Sequence, residues 1–361
     1  MQRTARGAGF FRLPPRNDGR PPLELFIRSS EMNGAMNGDI VRVRKLGRRR
    51  GGGGQCGEVV EVLERSTVRF VGRYFERDDR GWVRVDRRMF DGPIAVGDPA
   101  AKGARPGDQV VLEMLSFPDG SRSGEGVLVE VLGRRDEPGV DQQTVVHEFG
   151  LRVEFPDEVL EAAREAASGF DEETVTGRVD FTRLTVVTID PSDARDFDDA
   201  ISLDRLADGG WRLGVHIADV SHFVQPGGAL DREARLRGTS TYLPGQVIPM
   251  LPELISNGLA SLQQKRVRFV LSALIDYSEE GIVTGVEFVR AAVRVTRRFS
   301  YEEVSEILAD PERFHGRVAA PVRELLVDMH RLSRILRSRR FDAGALELHL
   351  PEIRIELDDQ G

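Results

Sequence analysis

Five aspartates fall within the ten positions "DPSDARDFDD", Asp190 to Asp199, with one cation, Arg195, among them. Carboxylates this close repel one another, so a fold that gathers them needs a cation or a shared proton at the same place. Oxygen donors without sulfur or imidazole suit hard divalent ions. No cysteine and few histidines lie near to favour zinc. Three chemistries fit these residue types. A calcium loop of the EF-hand kind needs acids at alternate positions, Gly at the sixth and Glu at the twelfth, and no starting position here supplies that spacing. A solvated acidic turn is the bland alternative. The third is a metal site for phosphoryl chemistry, where Mg²⁺ or Mn²⁺ polarises a phosphate and makes a water nucleophilic.

The flanking residues bear on that choice. "LTVVTID" reads as a buried strand delivering Asp190 at its end, and Pro191 then stops regular pairing. The apolar "AIS" after Asp199 reads as a second strand, so the loop is expected to be fixed between buried elements. "WRLGVHIADV" is strand-like, and "GALDREARLR" is helical and carries Arg232, Arg235 and Arg237. Those arginines form either a solvated helix face or phosphate contacts; Arg235 and Arg237 are the candidates for the second. "RFVLSALIDYS" and "GIVTGVEFVRAAVRV" predict a hairpin across Glu279 to Gly281. Ser300 with Glu303 makes a capping box before "YEEVSEILAD". Val322 to Arg340 reads as a long amphipathic helix with Leu325, Met329, Leu332 and Leu336 on its core face. His216 and His222 are six positions apart on a strand and its exit, which favours structural hydrogen bonding over a shared metal. Tyr242, beside Pro244 and Gly245, is either packing or a platform on which a base stacks.

Upstream the pattern is all β. "GFFRL", "LELFIRS", "DIVRVRKL" and "GEVVEVLER" are short strands separated by Pro, Gly and Asn signals, with "GRRRGGGGQ" as a flexible basic loop. "VRFVGRYFERD", "GWVRVDR", "PGDQVVLEMLS" and "GEGVLVEVLG" follow. In both sets a Gly-Asp turn opens a strand and a Val-rich strand ends on Glu-Val-Leu, which suggests two small β-barrels in tandem. "PDEVLEAAREA" then has helical spacing, as a connecting helix would.

At 361 residues there is room for two or three domains. The single cysteine, Cys56, cannot form an internal disulfide, which suits a reducing cytoplasm. No run of about 18 apolar residues exists to span a membrane, and Met1 to Arg20 lacks the apolar stretch of a secretory signal. The net charge of −8 argues against generic polyanion binding, but residues 1–50 hold twelve Lys or Arg against four acids, a local balance of +8.

Taken in order, the aspartate loop, "HIADVSHFV" and "LDREARLRGTSTYLPGQVIPMLPELISNGLASL" resemble the ribonuclease II / ribonuclease R (RNB) family. The resemblance runs through Arg183–Leu262 and continues more weakly through "GALELHLPEIRIELD". It implies two OB (cold-shock-type) barrels at 1–62 and 63–140, a helical linker at 141–177, and the N-terminal part of an α+β RNB catalytic domain at 178–361. The implied activity is processive, Mg²⁺-dependent hydrolysis of single-stranded RNA from its 3′ end to nucleoside 5′-monophosphates, in the cytoplasm, by a monomer without an obligate protein partner. Carried over by position, Asp190 and Asp199 look like metal ligands, and Asp196 looks like a supporting one. Asp198 looks like the residue whose loss stops catalysis but not RNA binding. Asp193 is outside this quartet, and Tyr242 matches a tyrosine that stacks near the 3′-terminal nucleotide. Compared with the family, the chain begins inside its first barrel and stops at Asp358 to Gly361, partway through the catalytic domain. Exposed apolar surface is therefore expected, and RNA binding without cleavage is the alternative function.

Overall fold

Alternating apolar residues in the first sixty-four positions form five strands: β1 (Gln2–Arg3), β2 (Gly9–Arg12), β3 (Glu24–Ile27), β4 (Ile40–Arg48) and β5 (Gln55–Glu64). The computed structural model describes residues 1–351 except 5–6, 14–22, 49–53, 87–88, 91 and 119–122. Most of the expected basic loop and the end of the weaker resemblance, from 352 on, lie outside the described residues. The sheet order is β1-β2-β3-β5-β4. Leu25, Ile27, Val41 and Val59 fill its buried face with Met32. On the outer face of the β4–β5 hairpin, Arg42 pairs with Glu61 and Arg44 with Glu58 directly across the strands.

The next set, β6 (Arg69–Arg77), β7 (Arg80–Val85), β8 (Ile94–Val96), β9 (Asp108–Ser116) and β10 (Glu125–Arg134), closes into a barrel in the order β10-β8-β7-β6-β9. Phe70, Tyr74, Val83, Ile94, Val110 and Leu112 fill it. Gly72 is required there, because a Cβ would stand 2.5 Å from the Arg84 carbonyl oxygen of the neighbouring strand. Of the two expected barrels, then, the second is closed; the first is a five-stranded sheet whose outer strands, β1 and β4, are not paired with each other among the described residues. The expected linker resolves into two helices, α1 (Val140–Phe149) and α2 (Asp157–Ser168). They fall in different compact units, which divide between Leu151 and Arg152.

The second unit is built on a seven-stranded mixed sheet, β11-β18-β17-β14-β13-β12-β19. Its strands are β11 (Val179–Phe181), β12 (Val187–Asp190), β13 (Asp199–Arg205), β14 (Trp211–Ala218), β17 (Val267–Tyr277), β18 (Val283–Arg294) and β19 (Arg297–Ser300). Helix α3 (Ala229–Arg237) and the hairpin β15 (Thr241–Leu243) and β16 (Gln246–Ile248) lie between β14 and β17 in sequence. Period-two patterning sets the two faces. Ala200 and Ala218 join one core with Val159 and Ala163 of α2 and Leu230 of α3. Ile201 and Leu203 face the other way, onto α4 (Tyr301–Ala309) and α5 (Ala320–Asp342). The capping box at Ser300 and Glu303 is present in both directions, and Leu325 and Leu332 of α5 are buried. Farther along that second face, Ile217, Leu271, Val286 and Phe288 are exposed, Phe288 at 79%. Leu346, Leu348 and Leu350 are exposed too. The expected apolar surface is present.

His216 is fully buried on β14, with Nε2 3.0 Å from Ser202 Oγ and Nδ1 2.8 Å from Ser272 Oγ. This is the structural role expected from its spacing. Burial lowers its pKa to about 4. The unfolded ring has the ordinary value near 6.5 and takes up a proton first as pH falls, so His216 adds stability above about pH 6.5 and loses it down to about pH 4. Urea unfolding at pH 7 and pH 5, with the His216 ring followed by NMR, is expected to show lower stability at pH 5 while the folded ring stays neutral.

Candidate active site

The aspartate loop leaves β12 at Asp190 and enters β13 at Asp199. Behind it, Val186, Val187 and Thr188 are completely buried, so the strand that delivers Asp190 is anchored in the core. Pro191 ends the pairing, and the Ala194 N–H donates to the Pro191 carbonyl to start the turn. Phe197 points the opposite way from its acidic neighbours and is buried at 7% exposure. Its N–H donates to Ser261 Oγ (3.0 Å), and its carbonyl accepts from the Leu262 N–H (2.8 Å). The Asp198 carbonyl accepts from the Ala218 N–H (2.8 Å), which fixes the far arm of the loop to β14.

This frame opens a cleft of about 810 Å³ whose walls include Asp190, Asp196, Asp198, Asp199 and Tyr242. Asp190 is half-buried, and burial first, then the charge of Asp199, pushes its carboxyl above the usual range. Asp198 is pushed up as well, by partial desolvation and then by Asp196 and Asp199. The Tyr242 hydroxyl donates to Asp196 Oδ2 at 3.2 Å; its pKa is raised by desolvation and then by the Asp196 charge. The hairpin carrying Tyr242 turns at Pro244 and Gly245, where φ of +71° calls for glycine. Tyr242 itself is 66% exposed, so its ring face is open to the cleft.

Asp193 lines the same cleft but is exposed on the outer arm, apart from these couplings. The two arginines behave differently from the aspartates: neither lines the cleft. Arg235 is exposed and pairs with Asp231 (3.1 Å). Arg237 is buried, with a side chain only 3% exposed. It pairs with Glu233 (3.0 Å), donates to the carbonyls of Pro249 (3.1 Å) and Glu154 (2.6 Å), and stacks 3.6 Å above the Phe155 ring. These commitments give Arg237 a structural role in place of the expected phosphate contact. His222 packs edge-on against Phe170, Phe223 and Phe269, and burial lowers its pKa.

Sequence reasoning missed the opposite wall, where Glu253, Ser256 and Asn257 line the cleft. They stand on or next to a π-helical turn, Leu254–Leu259, a form often found at functional sites. The quoted "LPELISNGLASL" was the available signal, but its local pattern gives no sign of a π turn. Arg298 and Ser261, which hold the loop, were also missed, since nothing local marks contacts across 64 to 107 residues.

Several features suit the cluster to a hard divalent ion. The donors are all carboxylate oxygens, and Asp190 Oδ2 is buried without a hydrogen-bond partner. The charges of Asp196 and Asp199 act on both Asp190 and Asp198, Arg298 acts on Asp190 in the opposite sense, and no basic side chain forms an ion pair with the four among the described residues. Against a fully formed centre, no three His, Cys, Asp or Glu side chains converge as a metal site among the described residues.

Comparison with known proteins adds the following. Residues 178–361 match the family model described as the RNB domain, residues 82–156 that of a cold shock domain, and residues 5–62 that of the ribonuclease B OB domain. The chain is 36% identical to ribonuclease R of Thermotoga maritima over 341 residues, which covers 94% of this chain and 48% of that protein. It is 37% identical to ribonuclease R of Acidithiobacillus ferrooxidans, covering 95% of this chain and 77% of that one. Among solved structures, Mycoplasma genitalium RNase R in complex with ribose methylated single-stranded RNA superposes with a TM-score of 0.82. That match has 25% identity over 99% of this chain and 56% of the other. The chain thus spans about half the length of the Thermotoga relative.

Proposed function

The chain belongs to the RNB family of ribonuclease R proteins, and from that membership we propose that it carries the metal-binding half of a hydrolytic 3′→5′ exoribonuclease acting on single-stranded RNA. The observation that carries the reading is the cleft in which four coupled aspartates face an exposed tyrosine hydrogen-bonded to one of them. Asp190 and Asp199 would hold Mg²⁺ (or Mn²⁺), with Asp196 in support. When bound, such an ion supplies positive charge that polarises the scissile phosphate and makes a water more acidic. Asp198 would take a proton from the attacking water. The water oxygen bonds the phosphorus as the terminal P–O3′ bond breaks, the proton taken up by Asp198 passes on to the departing O3′, so that the next nucleotide gains a 3′ hydroxyl, and a nucleoside 5′-monophosphate leaves. Tyr242 would place the last base by stacking, with its hydroxyl held by Asp196. Processivity, a cytoplasmic location and action as a monomer without an obligate protein partner belong to the same proposal. No helix among the described residues is long and apolar enough to cross a membrane.

The test uses 5′-labelled single-stranded RNA and matched DNA, each with Mg²⁺ and with EDTA. The expected result is a metal-dependent RNA ladder shortening from the 3′ end. Internal cuts would overturn the exonuclease reading. A second reading, RNA binding without cleavage, is favoured by the absence of three converging ligands among the described residues; retarded but intact RNA would support it. Tyr242 gives a separate prediction. In fluorescence anisotropy with a short labelled RNA, Tyr242→Ala is expected to weaken binding by about 1–3 kcal/mol, the worth of one stacked base. Tyr242→Phe keeps the ring and should retain most of the affinity.

A further inference from the structure

We propose that Arg298 is the positioning residue of the aspartate loop, whose guanidinium sets the spacing of the carboxylates and so their affinity for a divalent cation. The inference rests on the metal-dependent reading of the cleft. Arg298 lies in β19, and the parallel pairing of β19 with β12 places it beside Thr188, two residues before Asp190. From there Nη2 donates to three loop carbonyls: Pro191 at 3.3 Å, Ser192 at 2.9 Å and Ala194 at 3.2 Å. The same guanidinium lies 4.5 Å from the centroid of the buried Phe197 ring. One side chain therefore ties the arm leaving Asp190 to the arm that enters Asp198 and Asp199.

The rest of the anchorage points the same way. The Arg298 N–H donates to Gln264 Oε1 (3.0 Å), which fixes the base of the side chain. Ser261 Oγ accepts from the Phe197 N–H and donates to the Arg195 carbonyl (3.2 Å), closing the loop from the other side. Five carboxylates on an untethered loop would spread to relieve their repulsion. Charge-assisted bonds from a cation to backbone carbonyls oppose that spreading, and the Arg298 charge also offsets part of the repulsion at Asp190 without forming an ion pair with it. A planar guanidinium that reaches three carbonyls through one nitrogen while its face lies against a ring is something the shorter, non-planar lysine side chain cannot reproduce. Arg298 thus acts on the metal ligands mainly through the backbone that carries them, with its charge as a smaller direct effect on Asp190.

The experiment compares the full chain with Arg298→Lys and Arg298→Ala, using Mn²⁺ alone as the probe. Three quantities are read: Mn²⁺ affinity by EPR of the free ion, hydrogen exchange at residues 192–198, and RNA affinity in EDTA. Arg298→Lys, which keeps the charge but not the planar group against Phe197 or its reach, is expected to weaken Mn²⁺ binding roughly 10- to 100-fold and to speed loop exchange. RNA affinity without metal should stay unchanged, and added methylguanidinium should restore Mn²⁺ binding to Arg298→Ala. Parent-like Mn²⁺ affinity in Arg298→Lys overturns the proposal. So does a loss of metal affinity that tracks a fall in Tm and in RNA binding, which would mark a general role in holding the fold. If the parent itself binds no Mn²⁺, the metal reading of the cleft fails, and loop exchange in the variants still decides whether Arg298 holds the loop.

Discussion

Asp198→Asn is expected to abolish RNA shortening, by roughly 10³-fold or more, while single-stranded RNA remains bound with parent affinity. The reason lies in where the carboxyl stands. Its backbone is fixed by the bond from the Ala218 N–H, and its proton affinity is raised by desolvation and by Asp196 and Asp199. An amide of the same shape keeps the packing and removes both the charge and the ability to accept a proton. Incubating parent and variant with 5′-labelled RNA and Mg²⁺, alongside an anisotropy titration in EDTA, separates the two effects. Equal shortening by parent and variant would remove Asp198 from the reaction, and lost RNA binding would make it a binding residue.

The second large effect concerns stability. Arg237→Leu is expected to destabilise the second unit by about 3 kcal/mol, the lower end of the cost of breaking a buried ion pair. Arg237 and Glu233 are both buried, at 3% and 4% side-chain exposure, and the change also leaves the Pro249 and Glu154 carbonyls without this donor. The lower end applies because Arg152 still pairs with Glu233 at 2.8 Å from a half-exposed position. Urea unfolding measures the loss. Unchanged stability together with weakened RNA binding would instead restore the phosphate contact that the sequence suggested. The network also carries a pH signature. The bond from Arg152, then that from Arg237, holds the Glu233 carboxyl below the usual glutamate range. Its contribution is therefore complete above the ordinary glutamate pKa and fades as pH falls through the depressed folded value.

Much of the framework was legible because it is local. Turn residues and period-two patterning marked the strands of both N-terminal sheets, and the Ser300–Glu303 capping box marked the start of α4. The Val-rich strand before Asp190 announced a fixed loop, since burial of such a strand leaves its end little freedom. Closure was not legible. Both N-terminal strand sets have similar patterns, yet among the described residues only the second is paired all the way round, because closure depends on which edges meet. Nor was the fate of the arginines on α3. Arg235 and Arg237 are two residues apart in one helix, so composition treats them alike; packing buries one against Phe155 and leaves the other exposed.

The sequence by itself offered the candidate donors: five aspartates at close spacing, four of them singled out by the family resemblance, a tyrosine near a Pro-Gly turn, and the strands that bracket them. Residue type and short-range order are enough for that, since a carboxylate's chemistry and a strand's periodicity are written within a few positions. Only the tertiary structure decided how those carboxylates are held. Arg298 and Ser261 reach the loop from 104 and 66 residues away in sequence. Strand register places Arg298, and the turn after Leu259 places Ser261, contacts that no local pattern records. The long-range bonds from Ser261 and Leu262 hold Phe197 against the core, and the β15–β16 hairpin brings Tyr242 to Asp196, converting a run of repelling acids into one wall of a cleft.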